Sequence, residues 1–148
     1  MNRRTTLAAA LALTAGLGLA GCADEETAPQ LKVDGAYMPQ PVTKDMAGAF
    51  FTIKNSGAAD KLTAVTTNQA KDVTIHKTVG NKMEQVDSLA IPAGGELRLD
   101  RGGNHLMLMG LKYKPLKGDG ISVQLHFAHA QPINVAIPVR AADYAPKK

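Results

Sequence analysis

In the stretch Gly102 to Gly110, GGNHLMLMG, a histidine and two methionines occupy every second position. Along an extended strand, residues i and i+2 point to the same side, so His105, Met107 and Met109 share one face and Leu106 and Leu108 the other. Imidazole and thioether two residues apart on one face can converge on a single ion. Thioether sulfur is a soft donor that selects Cu(I), and imidazole suits copper as well. Calcium or magnesium would require oxygen ligands. A strand buried on both faces would carry the same letters, with methionine as flexible core filler, so these residues alone leave both readings open.

A second pair bears on the choice. In His76-Lys-Thr-Val-Gly-Asn-Lys-Met83, Gly80-Asn81 has the composition of a hairpin turn. A four-residue loop from Thr78 to Asn81 predicts His76 opposite Met83, with Cβ atoms about 5 Å apart on one face. Alternation predicts Val73 and Ile75 in the core, with Thr74 and His76 outside. Met109 is a possible auxiliary to the site or a packing residue beside Gly110. Met46 and Met38 are candidates for a rim relay. His126 and His129 are expected on a solvent face.

The sequence has a single cysteine, Cys22, and none in the rest of the chain. A blue-copper electron carrier, which needs a cysteine ligand, is thereby excluded. G-x-S-x-G, P-loop, G-x-G-x-x-G and H-E-x-x-H motifs are absent, so the expectation is a protein that is not an enzyme. Two alternatives use the same residues. One is an exported zinc or Cu(II) metalloenzyme built on His76 and His105 with Asp100 or Asp87. The other is a structural β-sandwich adaptor whose methionines fill its core.

The elements that position these residues are short alternating runs separated by turns. Strands are predicted at Leu31–Met38, Gly48–Lys54, Lys61–Thr66, Asp72–Thr78, Lys82–Ala90, Glu96–Asp100, His105–Leu111, Ile121–Ala128 and Ile133–Arg140. Between them lie clusters such as Asn55-Ser56-Gly57 and Pro92-Ala93-Gly94-Gly95. Many short strands at this spacing predict an all-β sandwich or barrel. The 148 residues suffice for one domain with a real core.

Ahead of the domain, Arg3-Arg4 precedes an apolar run, Leu7 to Ala20, that is too short for a bilayer-spanning helix and is followed by Gly21-Cys22. This is the pattern of an export signal, residues 1–21. Leu19-Ala20-Gly21-Cys22 resembles a bacterial lipobox, which implies cleavage before Cys22 and lipid on its thiol. Residues 22–30, small, acidic and proline-containing, are expected as a tether, 31–141 as the β domain and 142–148 as a polar tail. The formal charge of +4 falls to about +2 without Arg3 and Arg4, and tryptophan is absent. Neither a basic footprint nor base-stacking aromatics point to nucleic acid.

His76, then Met83, then 21 residues, then His105-x-Met107 resembles the motif of the bacterial periplasmic copper chaperones called PCuAC. Further stretches carry the same resemblance: Ala49-Phe-Phe-Thr-Ile-Lys-Asn55, Asp72-Val-Thr-Ile-His76, Ile91-Pro-Ala-Gly-Gly-Glu-Leu97, Gly102-Gly-Asn-His-Leu-Met-Leu108 and Pro115-Leu-Lys-Gly-Asp119. Two features depart from the family pattern. Six residues, rather than about ten, separate His76 from Met83, and Arg101 stands where proline usually precedes the glycine pair. The resemblance implies a cupredoxin-like β-barrel and a surface Cu(I) site formed by His76, Met83, His105 and Met107. It also implies copper carriage outside the cytoplasm, toward the binuclear copper centre of cytochrome c oxidase, with a Sco-type thioredoxin-like partner. A monomer held by lipid on the outer face of the cytoplasmic membrane is expected.

Overall fold

The structure, a computed structural model, describes residues 27–147. Ten strands follow in order: β1 (Leu31–Pro39), β2 (Met46–Asn55), β3 (Asp60–Thr66), β4 (Ala70–Val79), β5 (Lys82–Val86), β6 (Leu89–Ile91), β7 (Glu96–Leu99), β8 (His105–Leu111), β9 (Gly120–Phe127) and β10 (Ile133–Arg140). The ladder runs β5-β4-β8-β2-β1-β10-β9-β3-β6, and β7 joins β2 beside β8. The β1–β10 pair is parallel, whereas β1–β2, β4–β8 and β9–β10 are antiparallel.

Alternation decides which side chains enter the core. Ile121, Val123 and Leu125 of β9, Leu97 and Leu99 of β7, and Leu106 and Leu108 of β8 all point inward. They pack with Ala49, Phe51 and Ile53 of β2 and Ile75 of β4. Burying such a leucine side chain stabilises by about 2 kcal/mol. Expelling these residues from water fixes which face of each strand is left outside, and the outside of β4, β8 and β2 carries His76, His105, Met107, Met109 and Met46.

Three details differ from the sequence expectation. The run Lys82–Ala90 is two strands, β5 and β6, with a bend at Asp87-Ser88 that carries the chain to the β3 edge. The register between β1 and β2 shifts between Asp34 and Tyr37, where Gly35 has φ +64°. This bulge inverts the alternation. Tyr37 emerges on the outer face opposite Phe50, and Met38 turns fully into the core with no exposed surface. Met38 is therefore core filler and no part of a rim relay.

Residues 27–30 at one end and 142–144 at the other are bonded to or packed on the strands. The Ala58 amide donates to the Thr27 carbonyl at 2.8 Å, and the Ser56 amide to the Gln30 carbonyl at 3.1 Å. At the other end Arg101 donates to the Ala142 carbonyl at 2.9 Å. Tyr144 packs edge-on to Tyr37 with ring centroids 5.1 Å apart, and the Arg140 guanidinium sits 5.7 Å from the Tyr144 ring. The expected tail 142–148 thus begins by covering the aromatic outer face of β1.

Asp60, buried at the start of β3, closes the 128–130 turn. Its Oδ1 accepts from the Lys61 and His129 amides at 2.7 and 3.0 Å, and its Oδ2 from the Ala130 amide at 2.8 Å. Burial pulls its carboxyl pKa up, but the three amide bonds outweigh it and leave the pKa below the ordinary carboxylate value. A carboxyl that ionises more readily folded than unfolded adds stability above its unfolded pKa, near 4, and loses it as pH falls through the folded value. Thermal melts from pH 7 to pH 3 should show wild type losing stability below about pH 4. Asp60→Asn, less stable at neutral pH, should decline less, so the two curves converge in acid. A gap that stays constant to pH 3 would remove Asp60 from the acid response.

Candidate metal centre

The outer face of β5-β4-β8-β2 is a grid whose rows are set by ladder register. His76 lies directly opposite His105, Thr74 opposite Met107, and Asp72 opposite Met109. On the far side of β8, Gly48 lies opposite Met107 and Met46 opposite Met109. On the near side of β4, Gln85 opposes His76 and Met83 opposes Thr78. All of these face outward, away from Ile75, Leu106 and Leu108.

The expected pairing of His76 with Met83 is corrected by this register. Val79 pairs with Lys82, leaving a two-residue turn at Gly80-Asn81, with Gly80 at φ +60°. Two-residue turns of this kind match the twist of the flanking strands better than the four-residue loop expected from the sequence. The slip is by two positions, so it preserves the face: Met83 sits diagonally from His76 on the same side of the sheet. Within the hairpin Gln85 stands opposite His76, and on the other side of β4 its direct neighbour is His105, 29 residues further along the chain.

The two imidazoles stack with centroids 5.2 Å apart and planes 18° from parallel. His105 is only 6% exposed. Its Nδ1 donates to the Gly103 carbonyl at 2.9 Å, which holds the ring in the tautomer whose Nε2 keeps a lone pair. Gly102, at φ +79°, makes the turn that presents this carbonyl. Behind His105 lies Phe50, centroids 6.5 Å apart, and behind Phe50 lies Tyr37 at 5.2 Å. A buried aromatic row thus backs the histidine pair.

His76 Nε2 shares a 2.9 Å hydrogen bond with the Thr74 hydroxyl, leaving Nδ1 as the other ring nitrogen. Burial, and next the neighbouring His105, hold the His76 imidazole below the ordinary histidine pKa. Both effects penalise a positive charge here, so the ring is neutral at physiological pH and keeps a lone pair. Thr74 was not singled out from sequence, although its position two before His76 places it on the same face.

Met107 is half-buried beside this pair. Met83 is 64% exposed and Met109 37% exposed. These methionines are surface residues, which disagrees with their use as core filler in an adaptor. Met109 stands on the ligand face, one row beyond Met107, rather than packed inside. His126 lies elsewhere, on β9, bonded to Thr66 at 2.9 Å, and His129 is in the exposed turn beyond that strand. Cys22 lies outside the described residues.

Among the described residues no three His, Cys, Asp or Glu side chains gather into a metal-binding group. The donors that do gather are two imidazoles with thioethers. They lie on an open face and not in a substrate cleft. A groove of about 740 Å³ is found instead along β3, β9 and β10, lined by residues such as Thr66, Ser122, Gln124 and Asn134 and by no titratable side chain.

The architecture is a cupredoxin-like β-barrel. It superposes on the solved apo PCuAC domain of PmoF2 with a TM-score of 0.69 and 19% identity, covering 79% of this chain and 94% of that one, a likeness of fold. It also superposes on the solution structure of Cu(I)-DR1885 from Deinococcus radiodurans, with a TM-score of 0.64, 28% identity, and coverage of 82% of this chain and 85% of that one. The family model described as "Putative lipoprotein LpqE-like" matches residues 31–139, and the chain belongs to this family. A relative named "Putative lipoprotein Lxx21020", from Leifsonia xyli subsp. xyli, is 36% identical, over 93% of this chain and 89% of that protein.

Proposed function

We propose that the protein is an extracytoplasmic Cu(I) chaperone that takes up and hands on one copper ion at His76, Met83, His105 and Met107. The observation that carries this reading is the ladder register. It sets His76 against His105 on the outer face and brings Met107 and Met83 into the adjoining positions of that face. Two imidazoles and two thioethers form a thiol-free donor set. Such a set retains its ligands where cysteine pairs would oxidise. A copper-bound PCuAC domain of PmoF2 and the Cu(I) form of DR1885 are among the structural neighbours and support copper as the cargo.

The open placement suits a carrier. Met83, at the exposed end of the hairpin, is the ligand most accessible to an incoming acceptor and the first to exchange. His105, locked by Gly103 and packed on Phe50, is the fixed end of the site. The acceptor we infer is the copper centre of cytochrome c oxidase, with a Sco-type thioredoxin-like protein as partner. The domain is carried by residues 22–30, with lipid on Cys22 after removal of residues 1–21. The zinc or Cu(II) enzyme reading is disfavoured by the donor set, since among the described residues no carboxylate joins the two imidazoles as a third hard ligand.

Competitive Cu(I) titration under reductant tests the proposal. Wild type should take up one tight equivalent, and zinc should not displace it. Met83→Leu combined with Met107→Leu preserves side-chain volume and should weaken that equivalent at least about 100-fold, the upper end of what loss of a mere ligand-supporting contact costs. Unchanged affinity in the double variant would sink the assignment.

A further inference from the structure

Three methionines, Met46, Met109 and Met107, hold the positions around Gly48 next to the proposed site. Met46 of β2 is paired directly with Met109 of β8, and Gly48, two residues after Met46 on the same face, is paired with Met107. Opposed side chains on an antiparallel ladder have Cβ atoms about 5 Å apart, and neighbours along or diagonally across it about 7 Å apart, within reach of flexible methionine side chains. Gly48 contributes no side chain, and the ring of Phe50, two residues on along the same face, leans toward its place. A Cβ built there would meet the Phe50 ring at 3.5 Å. Met46 is 51% exposed and Met109 37% exposed, although both would gain by burial. Beyond Met109, on the β4 side, stands the carboxylate of Asp72.

We infer that Met46, Met109 and Met107 form a second station for a soft monovalent metal ion, Cu(I) or Ag(I), adjoining the first and sharing Met107 with it. Thioether sulfurs without imidazole or thiolate are weak, labile donors selective for such ions. The shared Met107 makes the two stations consecutive, so an ion can pass between them by exchanging ligands one at a time without full release from the protein. The inference builds on the proposed function in its use of Met107, but the Met46–Met109 pair stands on its own register.

The test uses Ag(I) as a redox-inert probe of the full chain in detergent, with the methionine methyl groups labelled with ¹³C for NMR. The first equivalent should move the Met83 and Met107 methyls. The second, at least tenfold weaker, should move those of Met46 and Met109. Buried Met38 should stay still throughout. Met46→Leu with Met109→Leu should abolish the second step and leave the affinity of the first within twofold. The inference is overturned if Met46 and Met109 do not shift, or if the second step survives in the double variant. If instead they shift with the first equivalent while Met83 remains still, this station stands and the His76–His105 site fails.

Discussion

His105→Phe is expected to reduce Cu(I) affinity at least about 100-fold while leaving the fold almost untouched. The ring of the variant can keep the stack on His76 and the packing on Phe50. What it removes is the Nε2 lone pair. What it costs in stability is the hydrogen bond from Nδ1 to the Gly103 carbonyl, about 1 kcal/mol. Copper affinity and thermal stability therefore separate in this variant. His129→Phe, in an exposed turn distant from the face, serves as the matched control and should change neither. Should His105→Phe bind Cu(I) as wild type does, the histidine stack is packing alone.

The largest expected effect on stability falls at the opposite end of β2, at Asn55. Its carboxamide is buried and fully used. Oδ1 accepts from the Gln30 amide at 3.1 Å and the Gly57 amide at 2.9 Å. Nδ2 donates to the Ala58 carbonyl at 2.7 Å and the Pro92 carbonyl at 3.1 Å. One side chain thus joins the incoming N-terminal segment, the 55–58 turn and the Pro92–Gly95 turn. Asn55→Asp is isosteric but turns two donated bonds into oxygen–oxygen contacts in a buried place. The expected cost is on the order of 3 kcal/mol, a fall in Tm of roughly 10 °C. Relative to wild type at the same pH, the deficit should shrink as the introduced carboxyl is protonated and regains one donor. A deficit independent of pH, or none at all, would show that the carboxamide is not the joint described.

Much of this was legible from alternation. On β8 the assignment of Leu106 and Leu108 to the core and of His105 and Met107 to the outside follows from a period of two, because one face of that strand is buried. The residue types of the site were legible for the same reason. Its geometry was not. The sequence shows a hairpin joining His76 to Met83, but β4 has two neighbours, and the one that sets His105 against His76 comes from far along the chain. Nothing local to either histidine specifies that pairing. The β1 bulge is hidden in the sequence for a related reason. Gly35 sits in the middle of a run that reads as one uninterrupted strand, and its effect, turning Tyr37 outward and Met38 inward, appears only against the register of β2. For Met109 the sequence leaves both an auxiliary role and packing beside Gly110 open, and only its neighbours Asp72 and Met46 put it on the open face.

The joint at Asn55 also sets the protein's reach. Residues 27–30 enter the barrel at Asn55, and Met46 lies at the other end of the same ten-residue strand. At about 3.3 Å per residue, the Met46–Met109 row is about 30 Å from the entry point and the His105–Phe50 row about 17 Å. A chain held by its N-terminus would therefore work as a boom, with its fixed end at Asn55 and its methionines at the tip. Lengthening the segment ahead of residue 27 would widen the area this tip sweeps without altering either row, which makes tether length a means of tuning encounter frequency separately from affinity.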